Sequence, residues 1–324
     1  MISFIINPPS SFIINLPPSF IINPPPSFII NPPLLFIINP AAGDKNTNFR
    51  AEIEKYFHSL PYRIHFFELE KNTRPGIFKQ KIGELKPQAV IAVGGDGTVK
   101  LVAECLLGTD VTLGIIPAGS ANGTAKDLGI ATKTNAALDI ICKGETQSIH
   151  AIKINDQLSI HLSDIGINAW LVKKFTNEGN RGWWGYLKAG WKVIWRPQLM
   201  HVEIRAGDKE IQRQAFMVVI ANATKYGTGV VINPSGDVTD DIFEIVIVKK
   251  ISLKEIFKMK INGDKYDPKK TEVFQTRSVK INSRHSVHFQ IDGEYIGKTT
   301  SVIAEIIPRA LTVLMPRDAT ASAK

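Results

Sequence analysis

"AVIAVGGDGTVKLVAECLLGTDVTLGIIPAGSANGT", residues 89–124, decides how the chain folds. Ala89–Val93 is an unbroken apolar run of strand length, and it ends in Gly94-Gly95-Asp96-Gly97-Thr98. Val99–Leu107 then carries a helical pattern, and Thr112–Ile116 is a second buried strand. That strand leads into Pro117-Ala118-Gly119-Ser120-Ala121-Asn122-Gly123-Thr124, another loop of small residues. Strand, helix and strand in this order read as a parallel sheet covered on both faces.

Glycine at such a turn tolerates positive φ and lets backbone N–H groups approach a phosphate without interference from a Cβ. The N-terminus of the next helix adds partial positive charge for an anion. Asp96, in the middle of the first loop, offers a carboxylate to a metal ion or a proton. Taken alone, such a turn also serves as a plain tight connection. Two of them at the carboxyl edge of one parallel sheet form the crevice where these folds bind ligands. Neither is a Walker A loop, and no GxGxxG follows the first strand.

The alternation extends upstream through a short strand at Phe36–Asn39, a helix at Thr47–Ser59, a strand at Tyr62–Leu69 and a helix at Pro75–Leu85. Downstream, Asn135–Lys143 is a further helix. After about residue 148 the texture changes to strands: "SIHAIKIN", "LSIHLSDIGI", "LMHVEIRA", "AFMVVIANA", "FEIVIVKK", "SVKINS" and "SVHFQID". Turn residues separate several of them, which suits an antiparallel sandwich or barrel. The final "VIAEIIPRALTVLMP" has strand character and can pair with either part.

Before residue 36 the chain repeats itself. Phe4, Phe12, Phe20, Phe28 and Phe36 each begin Phe-Ile-Ile-Asn, and proline interrupts every apolar run. Proline fixes φ and lacks a donor, so neither a helix nor a central strand runs through such units. Residues 1–35 therefore read as a repetitive, disordered extension, explained by tandem duplication of the start of the first strand or by an overlong start. The expected organisation is an α/β nucleotide-binding domain over residues 36–148, completed by residues 305–324, and a β-sandwich domain over residues 149–304.

Composition narrows the class. The 324 residues are 44% hydrophobic with a net charge of +9, and none of the charge lies in the first 35 residues. A basic surface points to an anionic partner: nucleotide phosphates, nucleic acid or an anionic membrane. Cys105 and Cys142 lack metal-ligand or CxxC spacing, as buried thiols of a reducing compartment do. No run of about 18 apolar residues exists, and the N-terminus lacks the basic start of a signal peptide.

The motifs "FIINPAAG", "VGGDGTV", "IPAGSANGTAKDLGI" and "IDGE", in this order, resemble the diacylglycerol kinase catalytic-domain family, which includes sphingosine and ceramide kinases and is distantly related to NAD kinases. The resemblance covers residues 36 to 317. It implies an ATP-dependent, Mg²⁺-using kinase that phosphorylates a lipid hydroxyl. Carried over by position, Asn39 and Gly43 border the nucleotide. Gly94, Gly95, Gly97 and Thr98 line its phosphates, with Ser120 and Asn122 beside them. Asp96 belongs to the phosphate and magnesium network, and Glu294 of Asp292-Gly293-Glu294 is the general base, with Asp292 among the metal residues. A lipid hydroxyl needs a positioned proton acceptor as phosphoryl transfer proceeds. Asp240, with backbone oxygens near Asp237 and Ile242, matches a structural metal loop of some bacterial members.

Some positions depart from the family's wording. Leu101 stands where the family has Glu, Asp241 follows Asp240 in place of Gly, and His150 aligns with a family Asp. These departures fall mainly around the expected magnesium network. They keep a catalytically weakened nucleotide-binding or lipid-sensing protein as an alternative, beside a kinase of a soluble metabolite.

"RGWWGYLKAGWKVIWRP", residues 181–197, holds four of the five tryptophans and four basic residues without an acid. On a helix, Trp184, Trp191 and Trp195 share a stripe with Lys188 beside them, as an interfacial helix among anionic headgroups requires. The same pattern also suits a helix packed on the sandwich. The expected partner is a lipid at the inner face of the membrane, approached from the cytoplasm. Nucleic acid is not expected, and a homodimer stays open.

Overall fold

The computed structural model describes residues 33–43, 47–70, 75–178, 199–224, 231–250, 267 and 269–317. The repeats before residue 33 and the tryptophan-rich segment, with Trp184, Lys188, Trp191 and Trp195, lie outside the described residues.

Apolar runs build the parallel part. β1 (Leu34–Ile38) is buried at every position and begins two residues ahead of Phe36. It pairs in parallel with β2 (Ile64–Glu68) on one side and with β3 (Ala89–Gly94) on the other. β3 in turn pairs in parallel with β4 (Thr112–Pro117), with Gly94 opposite Pro117. The chain thus leaves β1 in both directions, which makes the gap between β1 and β3 the topological switch point.

Helices cover the faces. α1 (Phe49–Phe57) starts where the Asn48 side chain accepts the Ala51 N–H, and it buries Phe49, Ile53 and Phe57, one turn apart. α2 (Pro75–Leu85) coincides with the helix read from the sequence. α3 (Asp96–Leu106) buries Val99, Val102, Ala103 and Leu106. A five-residue helix missed in the sequence, α4 (Gly123–Asp127), follows the second glycine loop, and α5 (Thr134–Lys143) closes this part.

The strand-rich half begins with β5 (Glu145–Ile154), β6 (Gln157–Ser159) and β7 (Leu162–Gly166). "LSIHLSDIGI" is therefore two strands, and the unexpected helix α6 (Ile167–Glu178) follows directly. β8 (Met200–Ala206) forms a hairpin with β9 (Lys209–Ala215), and β10 (Met217–Ala221) pairs antiparallel with β7 and β11 (Phe243–Val248). β12 (Thr271–Thr276) edges this array. β9 and β12 alternate polar residues with few apolar ones, which hid them from hydrophobic pattern reading.

"SVKINS" and "SVHFQID" form one strand, β13 (Ser278–Ile291), with an irregularity between Asn282 and Val287. Its hairpin partner β14 (Glu294–Met315) is longer than the terminal strand expected from sequence. Val218, Ile220, Phe243, Ile245, Ile281 and Phe289 share one sandwich core. The intervening Val219 and Val246 face the other side, the alternation of half-buried strands.

β5 and β14 join the two parts. Val302 and Ala304 of β14 lie in the sandwich core, whereas Ala310, Leu311 and Val313 lie in the α/β core. Between them the β5 register shifts, and Arg309 takes a φ of 49°. Beyond this bulge Val313 pairs in parallel with Leu113 of β4. The boundaries read at 148/149 and 304/305 thus fall inside strands that serve both cores.

Candidate active site

The cross-strand partnership of Gly94 and Pro117 makes the two glycine loops leave the sheet side by side, and Ala118 N–H donates to Gly94 O at 2.8 Å. Gly95 and Gly119 touch through their backbones: a Cβ on Gly119 would stand 2.5 Å from Gly95 Cα. Asn122 sits in the left-handed region at φ 51° and closes its own loop. Its Oδ1 accepts Gly119 N–H, and its Nδ2 donates to Gly119 O, both at 2.8 Å. Ser120 is exposed at the loop's tip.

Asp96 ties the loops together. Its Oδ2 accepts Gly123 N–H and its Oδ1 accepts Thr124 N–H, each at 3.0 Å. The carboxylate in the first loop thus satisfies the opening donors of α4 behind the second. On the other side of the switch point, Asn39 Oδ1 accepts Ala41 N–H at 3.0 Å and its Nδ2 donates to Thr98 Oγ1 at 3.1 Å. Gly43 completes that turn at a φ of 81°.

Glu294 arrives from the sandwich. Asp292 (φ 49°) and Gly293 (φ 85°) make a two-residue turn between β13 and β14, a geometry that requires positive φ at both positions. The turn is held from below. Asp292 accepts Ser159 Oγ–H at 2.9 Å and the N–H groups of Ile160 and His161 at 3.1 Å each. Burial pushes the Asp292 carboxyl up, while Lys100, His161 and these hydrogen bonds oppose the rise. Gly293 N–H donates to Gln290 Oε1 at 2.7 Å, and Gln290 Nε2 donates to the buried Asp164. Asn168 donates to the same Asp164 oxygen at 2.6 Å. So supported, the turn brings Glu294 over the first glycine loop, where its Oε1 lies 3.6 Å from the place a Cβ on Gly97 would occupy.

Three neighbours escaped the reading from sequence. Lys100, buried on α3, places its Nζ 3.5 Å from Glu294 Oε2. Its signal was a lone cation in the apolar series Val99, Leu101, Val102, Ala103 right after the glycine loop. Asp127, closing α4, binds His161 Nε2 at 2.9 Å through Oδ2 and accepts Thr224 Oγ1–H at 2.7 Å through Oδ1. Burial alone would lower the His161 imidazole, but the Asp127 hydrogen bond and charge, with Asp292 and Asp96 nearby, raise it on balance. These partners are distant in sequence, so no local pattern announces them.

The other predicted metal positions gather in a separate acidic loop. Asp237 Oδ1 accepts Thr239 N–H at 2.8 Å, and Asp240 Oδ1 accepts Ile242 N–H at 3.3 Å. Burial and the neighbouring Glu244, Asp237 and Asp241 push the Asp240 carboxyl up to about 6, against its hydrogen bond from Ile242. Asp241 pairs with Arg277. His150, buried on β5, sends its backbone N–H to Val238 O at 2.7 Å, and burial lowers its imidazole. Leu101 packs against the α/β core. Among the described residues, no trio of His, Cys, Asp or Glu side chains gathers to hold a metal ion.

A switch-point crevice in a parallel sheet, lined by two glycine loops and overlooked by a sandwich turn, defines a class: the architecture shared by diacylglycerol kinases and NAD kinases. The structure superimposes on a diacylglycerol kinase from Bacillus anthracis str. Sterne with a TM-score of 0.68 at 18% identity, covering 89% of this chain and 98% of that one. An NAD kinase from Archaeoglobus fulgidus, solved in complex with ATP, matches at a TM-score of 0.54 and 11% identity, over 88% of this chain and 95% of the other.

The sequence carries the assignment from fold to family. Residues 33–154 match the diacylglycerol kinase catalytic domain, and residues 166–315 match the YegS C-terminal NAD kinase beta sandwich-like domain. The chain thus carries a diacylglycerol kinase catalytic domain followed by a YegS-type C-terminal sandwich-like domain. The diacylglycerol kinase of Mycobacterium tuberculosis is 28% identical over 247 residues, covering 71% of this chain and 77% of that protein. An uncharacterized protein of Synechocystis sp. is 29% identical over 238 residues, or 70% of this chain. The matched region spans 54% of the length of that relative.

Proposed function

We propose that the chain transfers the γ-phosphoryl group of ATP to a hydroxyl of a membrane lipid, such as diacylglycerol or a sphingoid base. The observation that carries this reading is the meeting of Glu294 with the glycine loop at Gly97. Phosphoryl transfer asks little covalent chemistry of the protein; positioning and charge stabilisation supply most of the rate. Gly94, Gly95, Gly97 and Thr98 line the phosphates with Ser120 and Asn122 beside them, and Asn39 and Gly43 border the nucleotide. The lipid oxygen attacks the γ-phosphorus, the bond to the β-bridging oxygen breaks and ADP leaves. Glu294 accepts the hydroxyl proton and passes it to water.

The donor set suits a hard cation: carboxylate oxygens stand at the phosphate loop, and Mg²⁺ is held by few carboxylates together with substrate phosphates. Each Asp96 oxygen accepts one hydrogen bond in the structure and keeps a lone pair for such an ion. When bound, Mg²⁺ neutralises charge on the phosphates. Asp292 spends its oxygens on anchoring the turn, and that is its role in this scheme. Asp240, with backbone oxygens near Asp237 and Ile242, would hold a second, structural cation.

The protein works at a lipid surface. Among the described residues no helix is long and apolar enough to cross a membrane. Residues 181–197, with their tryptophans and basic side chains, are the docking element in this reading. Flotation with phosphatidylglycerol vesicles is expected to weaken when Trp184 and Trp191 become Ser; unchanged flotation removes that element. Radiolabel from [γ-³²P]ATP is expected to enter the organic phase of a lipid-extract assay, and label found solely on water-soluble acceptors overturns the lipid assignment.

A further inference from the structure

We infer that Lys100 is a positioning residue for the proposed transfer: its ammonium holds the Glu294 carboxylate over Gly97, at the lip of the phosphate loop. The inference rests on the reading of Glu294 as proton acceptor. Nothing in the family motifs assigns a role to this lysine.

Lys100 sits on α3. Asp96, Lys100 and Glu104 follow one another at four-residue spacing, so they line one face of the helix. Asp96, at the head of the row, is fixed by its two hydrogen bonds from α4. Lys100 comes next, with only 6% of its side chain exposed. Lysine is seldom buried so deeply unless an opposite charge compensates it. The compensation comes from the turn between β13 and β14: Glu294 Oε2 lies 3.5 Å away, and the charge of Lys100 is also felt at Asp292. Glu104 senses the same group. Desolvation raises its carboxyl, Lys100 opposes the rise, and Glu294 and Asp292 add to it.

Glu294 needs such a partner. Its side chain is 57% exposed and stands on a two-residue turn, so several rotatable bonds are free to carry the carboxylate into solvent. Lys100 is its one ion-pair partner among the described residues. The helix that bears Lys100 is itself rigid, because Val99, Val102, Ala103 and Leu106 are buried in the α/β core. Leu101, where the family carries a glutamate, faces that core. What α3 presents to the turn is therefore a buried cation. The pair runs from the core of the nucleotide half to the base carried by the sandwich half, and it sets the carboxylate's place relative to the phosphates. Loss of that placement acts on the rate of transfer and leaves nucleotide binding largely intact.

The test uses the full chain, [γ-³²P]ATP and vesicles of extracted bacterial lipid supplemented with dioleoylglycerol and sphingosine. Lys100→Met keeps the apolar stem and removes the charge. It is expected to lower kcat about 100-fold while the KM for ATP stays within about twofold. Lys100→Arg is expected to recover part of the rate. In a Glu294→Gln background, already slow, Lys100→Met is expected to cost less than about threefold, because residues acting as one unit are not additive.

An unchanged kcat in Lys100→Met, an equal loss in both backgrounds, or a raised KM for ATP at constant kcat overturns the inference. If Glu294→Gln itself keeps the wild-type rate, the reading of Glu294 falls first and takes this inference with it. If Glu294→Gln is slow but Lys100→Met is not, the positioning role falls alone. Thermal unfolding of each variant guards against a folding defect. Should Lys100→Met fail to fold, Lys100→Gln is read in the same way.

Discussion

Gly119→Ala tests whether the contact between the glycine loops sets the nucleotide site. The added methyl would lie 2.5 Å from Gly95 Cα and 2.8 Å from Asn122 Oδ1. Carbon atoms in good contact stand about 3.5–4.0 Å apart, so the loops must separate by about 1 Å. The obstacle is backbone, which cannot rotate away. Overpacking of this kind costs about 1–3 kcal/mol, and a displacement of about 1 Å at a reacting centre lowers rates by about 100-fold. Thermal unfolding is expected to fall by several degrees, ATP affinity measured by calorimetry to drop at least tenfold, and phosphoryl transfer to be nearly lost. Gly83→Ala is the matched control: it lies inside α2 and a Cβ there meets nothing within 4 Å. In that helix the change should raise stability by up to about 1 kcal/mol and leave the transfer rate unchanged. Wild-type ATP affinity and transfer rate in Gly119→Ala would refute the reasoning.

Asp127→Asn removes the carboxylate that raises His161. A base with a raised folded pKa contributes stability that is full below its unfolded value, near 6.5, and is lost as pH rises through the folded value. The variant's loss of stability is therefore expected to be larger at pH 6 than at pH 9, and equal losses at both would remove the ion pair from the account. Asp240 behaves in the opposite sense. Its carboxyl is pushed up to about 6, so the folded state loses stability as pH rises from about 4 to 6 and carries the full penalty above that window. Chelator-treated Asp240→Asn is expected to be more stable than wild type at pH 7.5. The gain is about 1–2 kcal/mol once partial solvent screening is allowed for. Added Mg²⁺ or Ca²⁺ is expected to raise the melting temperature of the wild type more than that of the variant; equal shifts would dismiss the structural cation.

Much of the α/β half was legible because its signals are local. β3 and β4 are continuous apolar runs, each followed by glycine or small residues, and both elements occur where expected. The sandwich was legible as a class but not in detail. β9 and β12 carry Lys, Glu, Gln and Arg along exposed edges, so cross-strand pairing made them strands without a hydrophobic signature. β13 looked like two strands because "SRH" interrupts its apolar positions, while pairing with β14 resumes at Val287 beyond the irregularity.

The site divides in the same way. Backbone-shaping residues such as Gly94, Gly119 and Asn122 announce themselves in sequence, since φ and close approach restrict residue type. The double hydrogen bond of Asp96 to α4 did not, because the acceptor and its donors are 27 and 28 residues apart. Nor did the pairing of Lys100 with Glu294, which depends on the sandwich turn reaching the helix.

The most direct test of the central claim compares wild type with Glu294→Gln in the transfer of ³²P from [γ-³²P]ATP to extracted lipid, with ATP affinity measured in parallel. The account predicts labelled lipid from the wild type, a loss of about 100-fold or more in kcat for the variant, and unchanged ATP affinity. Labelled lipid formed at the wild-type rate by Glu294→Gln would contradict it.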